Sequence, residues 1–390
     1  MLNENINEEV KETSSLDEVG DISQAFIVSS DWTIETIYSQ IKKGNIDLNP
    51  SFQRRDVWTD AKKSRLIESI LLRVPIPQIL LAEKEKERNK YIVLDGKQRL
   101  LAIEKFMDGL EDEKQGLKLS GLTVLTNLKG KTAKQIFNED YDLAEFENET
   151  IRSVFIRNWP SISYLYTVFN RLNTGSTSLS PQELRLSLYP GEFTNFIGEV
   201  SDNRSIQRVL GLEEPDKRMR DIELVVRYFS FKIFGNQYKG KLKIFFDNTV
   251  NGLNQKWNLE EEEIKEEFNE LINAINFTYD IFGNKAFSRP ESEKPQVIKP
   301  IFEFLTFYFS DPSVRDNIKK VSDYSEKIRA TYNSMFDDEE FLNSIESHTS
   351  DIQPTQYRFE IWAEKLNALF VEEDLEFRVE SPIPMDKGEK

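Results

Sequence analysis

The chain has no cysteine and a single histidine, His348, among 390 residues. Disulfides, thiol nucleophiles, Cys/His zinc sites and Ser-His-Asp triads are therefore all ruled out together. Catalysis would have to rely on carboxylates, amides, hydroxyls, Lys and Arg, with Mg²⁺ as the fitting metal because it prefers oxygen ligands. The length suffices for two to three domains, each able to bury its own core. With 38% hydrophobic and 31% charged residues, the composition is that of a soluble globular protein. Apolar runs such as Ile76–Ala82 are too short to span a bilayer. The acidic opening Met1-Leu2-Asn3-Glu4 lacks both parts of a secretion signal, so a cytoplasmic, membrane-free location is expected. A net charge of −17 argues against broad wrapping of DNA, since phosphate affinity comes from Lys and Arg. It leaves room for a local basic face.

Four regions are expected: a disordered acidic arm over 1–24, an α+β domain over 25–200, a helical domain over 201–376 and a flexible tail over 377–390. In the first domain Ile34, Ile37 and Ile41 share one helical face, and Gly44 suits the end of that helix. Ile46–Leu48 reads as a short strand. Thr59 caps a helix burying Leu66, Ile67, Ile70 and Leu71, which Pro75 stops. Gln78–Ala82, Tyr91–Leu94 and Ile151–Arg157 read as strands. Ser180-Pro181-Gln182-Glu183 is a capping box with Pro at the first helical position. From Asp221 onward helical spacing dominates, as in Ile222, Val225, Val226 and Phe229, and Ile301–Phe309 reads as a buried helix.

The segment richest in chemistry is Tyr91-Ile92-Val93-Leu94-Asp95-Gly96-Lys97-Gln98-Arg99, an apolar strand that meets an acid and a glycine and then becomes a helix. Helix starts attract anions, Gly96 permits close backbone approach, Lys97 and Arg99 add positive charge, and Asp95 would hold Mg²⁺ directly or through water. The competing reading is a surface turn in which Asp95 merely pairs with Arg99. Gly130-Lys131-Thr132 imitates the end of a phosphate-binding loop, but Leu125 stands where the first glycine belongs, so an ordinary turn is expected.

Three further segments accompany this turn: Phe52-Gln53-Arg54 with Trp58; Phe169–Asn173 with Gly175, followed by Leu179–Leu184; and the helix with Glu223, Leu224 and Arg227. Together with Asp95–Arg99, and in this order, they resemble the GmrS-like family whose signature reads DGQQR, the N-terminal domain of GmrS/GmrD-type restriction proteins. Lys97 stands in place of the family's first glutamine. The resemblance, over about residues 25–250, implies a ParB/sulfiredoxin-like fold with a small mixed sheet, followed here by an all-α domain. It further implies binding and hydrolysis of a nucleoside triphosphate with Mg²⁺ in bacterial defence or restriction. Carried over by position, Asp95, Gln98 and Arg99 would be catalytic, with Asp95 as the metal ligand. Gln53, Arg54, Gly96, Lys97, Arg171 and Asn173 would hold the nucleotide.

Family members that cut DNA carry a C-terminal histidine-metal (HNH) nuclease domain, and nothing around His348 resembles one. The expected role is thus a sensor or regulatory subunit working with a separate nuclease or other effector. The alternatives are a non-hydrolysing DNA- or RNA-binding module and a nuclease using carboxylates alone. Residues 204–245 carry ten Lys/Arg against five Asp/Glu, so Arg218, Arg220, Lys239, Lys241 and Lys243 are candidates for a nucleic-acid face. Self-association is compatible with the sequence.

Overall fold

The computed structural model describes residues 23, 25–48, 58–84, 87–139, 141–172 and 180–383. The chain divides into two compact units, with Leu188 in the first and Tyr189 opening the second. The class is α+β: a small mixed sheet with helices, then a unit of helices alone. Apart from Ser23, the arm expected over 1–24 lies outside the described residues.

The first unit begins with β1 (Phe26–Thr33), α1 (Ile34–Lys42) and β2 (Ile46–Asp47), followed by α2 (Asp60–Leu71). Next come β3 (Ile79–Glu83), β4 (Tyr91–Asp95) and α3 (Lys97–Asp108). The short helices α4 (Ala133–Glu139) and α5 (Leu143–Asn148) lead into β5 (Thr150–Arg157), α6 (Ile162–Leu172) and α7 (Pro181–Leu188). The strands lie in the order β1-β5-β3-β4-β2. The β3–β5 and β2–β4 pairs are parallel, and the β1–β5 and β3–β4 pairs antiparallel.

Side chains on one face of the sheet, including Ile79, Leu81, Val93 and Phe155, pack with residues of α1 to α5. The opposite residues, Leu80, Ala82, Ile92, Leu94 and Ile156, pack with Leu165, Tyr166 and Leu184 of α6 and α7. Because both faces are covered, β3 and β4 read in sequence as unbroken apolar runs. Local chemistry sets the helix starts. The Thr33 hydroxyl accepts from the Thr36 N–H at 3.1 Å and the Thr59 hydroxyl from the Lys62 N–H at 3.3 Å.

β1 escapes a reading by periodicity because polar Ser29, Ser30 and Asp31 occupy its middle and most of it is exposed. It is a strand because all eight residues pair with β5 and Trp32 packs on Phe155, with ring centroids 4.7 Å apart. A buried carboxylate fixes the loop after α3. Glu68 accepts hydrogen bonds from the N–H groups of Thr123, Val124 and Leu125 at 3.0, 2.7 and 2.8 Å.

The second unit contains α8 (Glu192–Val200), α9 (Arg204–Leu210), α10 (Arg220–Phe234) and the long α11 (Leu242–Phe282), kinked at Glu260 where φ is −123°. It continues with α12 (Lys299–Phe309), α13 (Pro312–Lys320), α14 (Tyr324–Asn333), α15 (Glu339–Glu346) and α16 (Ile352–Glu372). α12 is apolar on nearly every side and buried, as its sequence implied. Its one carboxylate, Glu303, is fully buried and accepts from both Arg227 of α10 and, at 2.8 Å, Arg358 of α16. Arg227 also donates to Glu223 at 2.9 Å, and Lys299 reaches the same oxygen at 2.8 Å. The segment 377–383, expected to be flexible, docks on α16 as far as it is described. Asn367 exchanges hydrogen bonds with the Val379 backbone at 2.9 and 2.8 Å, and Val379 and Ile383 are buried. Among the described residues no helix is long and apolar enough to cross a membrane.

Two outcomes follow for stability. Glu303→Ala removes the carboxylate shared by two buried guanidinium groups and is expected to cost about 3–5 kcal/mol in urea unfolding; a loss below about 1 kcal/mol would show that the network is not structural. Glu68→Ala is expected to cost about 1–3 kcal/mol. Burial alone would raise the Glu68 carboxyl, but the bonds from Val124, Leu125 and Thr123 outweigh it and hold the pKa below the usual 4.5. A depressed acid stabilises above its unfolded pKa, so the gap between wild type and Glu68→Ala should hold at neutral pH and close as pH falls below 4.5.

Candidate functional site

At the end of β4 the chain turns from strand to helix through Gly96, with φ 96° and ψ 8°. An L side chain is strained in this region, and a Cβ there would also stand 2.7 Å from the Ile79 methyl Cγ2. Glycine is therefore required on two counts. α3 begins directly at Lys97 with no side-chain cap. The first N–H to find a helical partner is that of Leu100, which donates to the Gly96 carbonyl at 3.0 Å. The preceding N–H groups of Lys97, Gln98 and Arg99 belong to the set that a helix start leaves over, and these with the helix dipole favour an anion.

The motif side chains arrange themselves around this turn. Asp95 Oδ1 accepts from the Gly96 N–H at 2.7 Å, and Oδ2 accepts from Arg99 Nη2 at 2.9 Å. The same nitrogen donates to the Gln78 carbonyl at 2.8 Å, tying α3 to the entrance of β3. The ion pair of the competing reading thus does form. It does not satisfy Arg99, whose buried Nε has no hydrogen-bond partner among the described residues. An unmet buried donor costs about 1–3 kcal/mol, which an incoming oxygen acceptor would relieve. Asp95 keeps lone pairs beyond the two bonds it accepts, since a carboxylate offers about four acceptor positions.

Lys97 is 9% exposed. Burial pushes it below its ordinary pKa of 10.5, while Glu183 of α7 and Asp47 of β2 pull the other way. Glu183 simultaneously closes the capping box: it accepts from the Ser180 N–H at 2.6 Å, and its own N–H donates to the Ser180 hydroxyl at 3.1 Å. The buried Gln98 accepts the Trp58 N–H at 3.1 Å. That bond joins the end of the first motif to the turn, and Glu183 links the third motif to it electrostatically. No spacing in the sequence signalled that Asp47 and Glu183 would act on Lys97.

Other candidates lie elsewhere. Arg171 is exposed near the end of α6, while Gln53, Arg54 and Asn173 lie outside the described residues. Gly130-Lys131-Thr132 is an ordinary turn: Lys131 pairs with Glu139 at 2.7 Å, and the Thr132 N–H donates to Gln135 at 3.0 Å. In the second unit, Glu223 and Arg227 belong to the buried network already described. The five basic candidates fall into two groups along the chain. Arg218 and Arg220 stand at the start of the fifteen-residue α10, and Lys239, Lys241 and Lys243 follow its end, about 22 Å away along the helix. Arg220 is bound to Asp216 at 2.9 Å, and Lys243 is buried. Among the described residues no three His, Asp or Glu side chains cluster as a metal site. Mg²⁺ commonly takes only one or two protein carboxylates, completing its shell with phosphate and water.

Replacing Lys97 by the family's glutamine gives a direct check on its burial. A base with a depressed folded pKa destabilises while protonated, and the penalty vanishes once pH exceeds 10.5. Lys97→Gln is therefore expected to raise the thermal midpoint at pH 7, by an amount that shrinks toward alkaline pH. A lower midpoint at pH 7 would mean that the ammonium is already well accommodated.

Residues 34–190 match the family described as GmrSD restriction endonuclease, N-terminal domain. No curated protein and no solved structure matches the chain. The match ends two residues beyond the first structural unit, so it covers the turn, the capping box and strands β2 to β5 but neither β1 nor the Glu223–Arg227 helix. Over residues 34–190 the chain is thus similar to the N-terminal domain of GmrSD restriction endonucleases.

Proposed function

We propose that the first unit binds a nucleoside triphosphate at the β4–α3 turn and hydrolyses it with Mg²⁺, as the sensing or regulatory part of a restriction or phage-defence system. The observation that carries this reading is the helix start at Gly96–Lys97. There, the N–H groups that a helix start leaves over, the buried Lys97 and the unmet Arg99 Nε all favour oxygen acceptors. In this reading the Lys97 ammonium and the N–H groups of α3 hold phosphate oxygens, Arg99 adds charge-assisted bonds, and Gln98 keeps the Trp58 segment against the turn. Asp95 would hold Mg²⁺, which supplies neutralisation of phosphate charge when bound. A separate effector subunit would then perform any cleavage of nucleic acid. Gln53, Arg54, Arg171 and Asn173 remain candidates for the rest of the nucleotide.

A second reading, binding without turnover, has its own support: both Asp95 oxygens already accept bonds, from Gly96 and Arg99, so a metal must share the carboxylate. Calorimetry with each nucleoside triphosphate and Mg²⁺ tests the first claim. Wild type is expected to bind at least one in the micromolar range, near −8 kcal/mol. Arg99→Ala is expected to weaken binding about 10- to 150-fold, the range for losing charge-assisted hydrogen bonds of about 1.5–3 kcal/mol. Equal binding by both proteins would remove the site assignment. Asp95→Asn separates the two readings, since phosphate release that disappears while binding persists is expected of a metal-holding carboxylate.

A further inference from the structure

A cavity of about 730 Å³ opens in the second unit between the end of α10, the loop 235–241 and the first turns of α11. The residues lining it include Phe234, Phe245, Gln237, Asn248, Lys239 and Lys241. None of the described residues lining it carries a carboxylate, although the chain has 68 acidic residues against 51 Lys and Arg. A volume of this size is typical of a small-ligand site.

One wall position has no packing explanation. Gly252 sits inside α11, where glycine is about 1 kcal/mol less favourable than alanine. A Cβ added there would meet only the edge of Phe234, at 3.6 Å, an ordinary contact. Neither sterics nor a left-handed backbone demands glycine. What its missing side chain does is leave the cavity open and the helix backbone approachable. One turn further on, Lys256, paired with Glu260 at 3.1 Å, lies 6.0 Å from the centroid of the Phe234 ring.

We propose that this cavity receives one nucleotide unit of a single-stranded nucleic acid. Lys239 and Lys241 take the phosphate, Phe234 offers a surface for the base, and Gln237 and Asn248 reach its edge. Aromatic rings stack unpaired bases of any sequence, carboxamides match the mixed donors and acceptors of base edges, and lysines supply the phosphate contacts. A duplex keeps its bases stacked and paired and cannot place one in a concave pocket without unstacking it. The inference is independent of the triphosphate reading, because every residue it uses belongs to the second unit.

The test is fluorescence anisotropy of the full chain with a labelled single-stranded oligonucleotide of mixed sequence, at low and moderate salt. Wild type is expected to bind, with affinity falling as salt rises. Gly252→Phe, which fills the cavity, and Asn248→Asp, an exposed change that brings in a carboxylate, are each expected to weaken binding at least tenfold. Lys239→Ala is expected to lower the salt slope by about one. Gly252→Ala should raise the thermal midpoint, whereas a fall would show that packing needs the glycine and would overturn the argument. Absence of strand binding at low salt, full binding by both Gly252→Phe and Asn248→Asp, or equal displacement by free mononucleotides would each overturn the proposal.

Discussion

The close approach of Gly96 to Ile79 is the constraint on which the first unit turns. With a Cβ absent, β4 can pass its neighbour β3 and bend at once into α3, so strand, turn and helix form one rigid corner. That corner decides where three motif residues point. Asp95 is held by the N–H of the glycine itself, Arg99 returns one helical turn later to the same carboxylate, and Lys97 is driven inward toward Glu183 and Asp47. Any larger residue at this position would disturb the sheet and the anion-facing helix start together.

Both units bury charge and pair most of it. In the second, Glu303 lies between Arg227 and Arg358, and Glu223 takes Arg227 and Lys299, so nearly every formal charge in the core has a partner. Such a network fixes how α10, α12 and α16 pack but adds little net stability over an apolar core. In the first unit Arg99 pairs with Asp95 yet keeps a buried Nε without a hydrogen-bond partner, as Arg358 does in the second. Unsatisfied groups are tolerated most readily at functional sites, where strain and unmet bonding are part of the design.

Much of this was legible before any coordinates, and the reasons differ by residue. Thr33, Thr59 and Ser180 act through bonds to residues within four positions, so their roles are written locally. Gly96 was legible because Asp-Gly between an apolar run and helical spacing leaves few conformations. β1 was not, because its strand character comes from pairing with β5, more than a hundred residues away, rather than from alternation. The surroundings of the basic candidates were hidden for a related reason. Lysine and arginine density along the chain says nothing of Asp216 taking Arg220, nor of Lys243 turning inward. Asp47 and Glu183 were invisible as neighbours of Lys97 because only tertiary packing sets them near it.

The placement of β5 has a consequence for how the first unit comes into being. It is the last strand made, yet it lies between β1 and β3, and its partners along the chain are remote: Phe26 meets Arg157, and Ile79 meets Ser153. β4, β3 and β2 can associate early, but β1 has no strand to join until β5 has left the ribosome. At ordinary translation rates of about 5–20 residues per second, that interval is on the order of ten seconds. Throughout it, the exposed Phe26 and Ile27 and the open edges of β1 and β3 are available to other chains. High contact order of this kind slows folding. The sheet of the first unit therefore closes only once Arg157 is available to pair with Phe26.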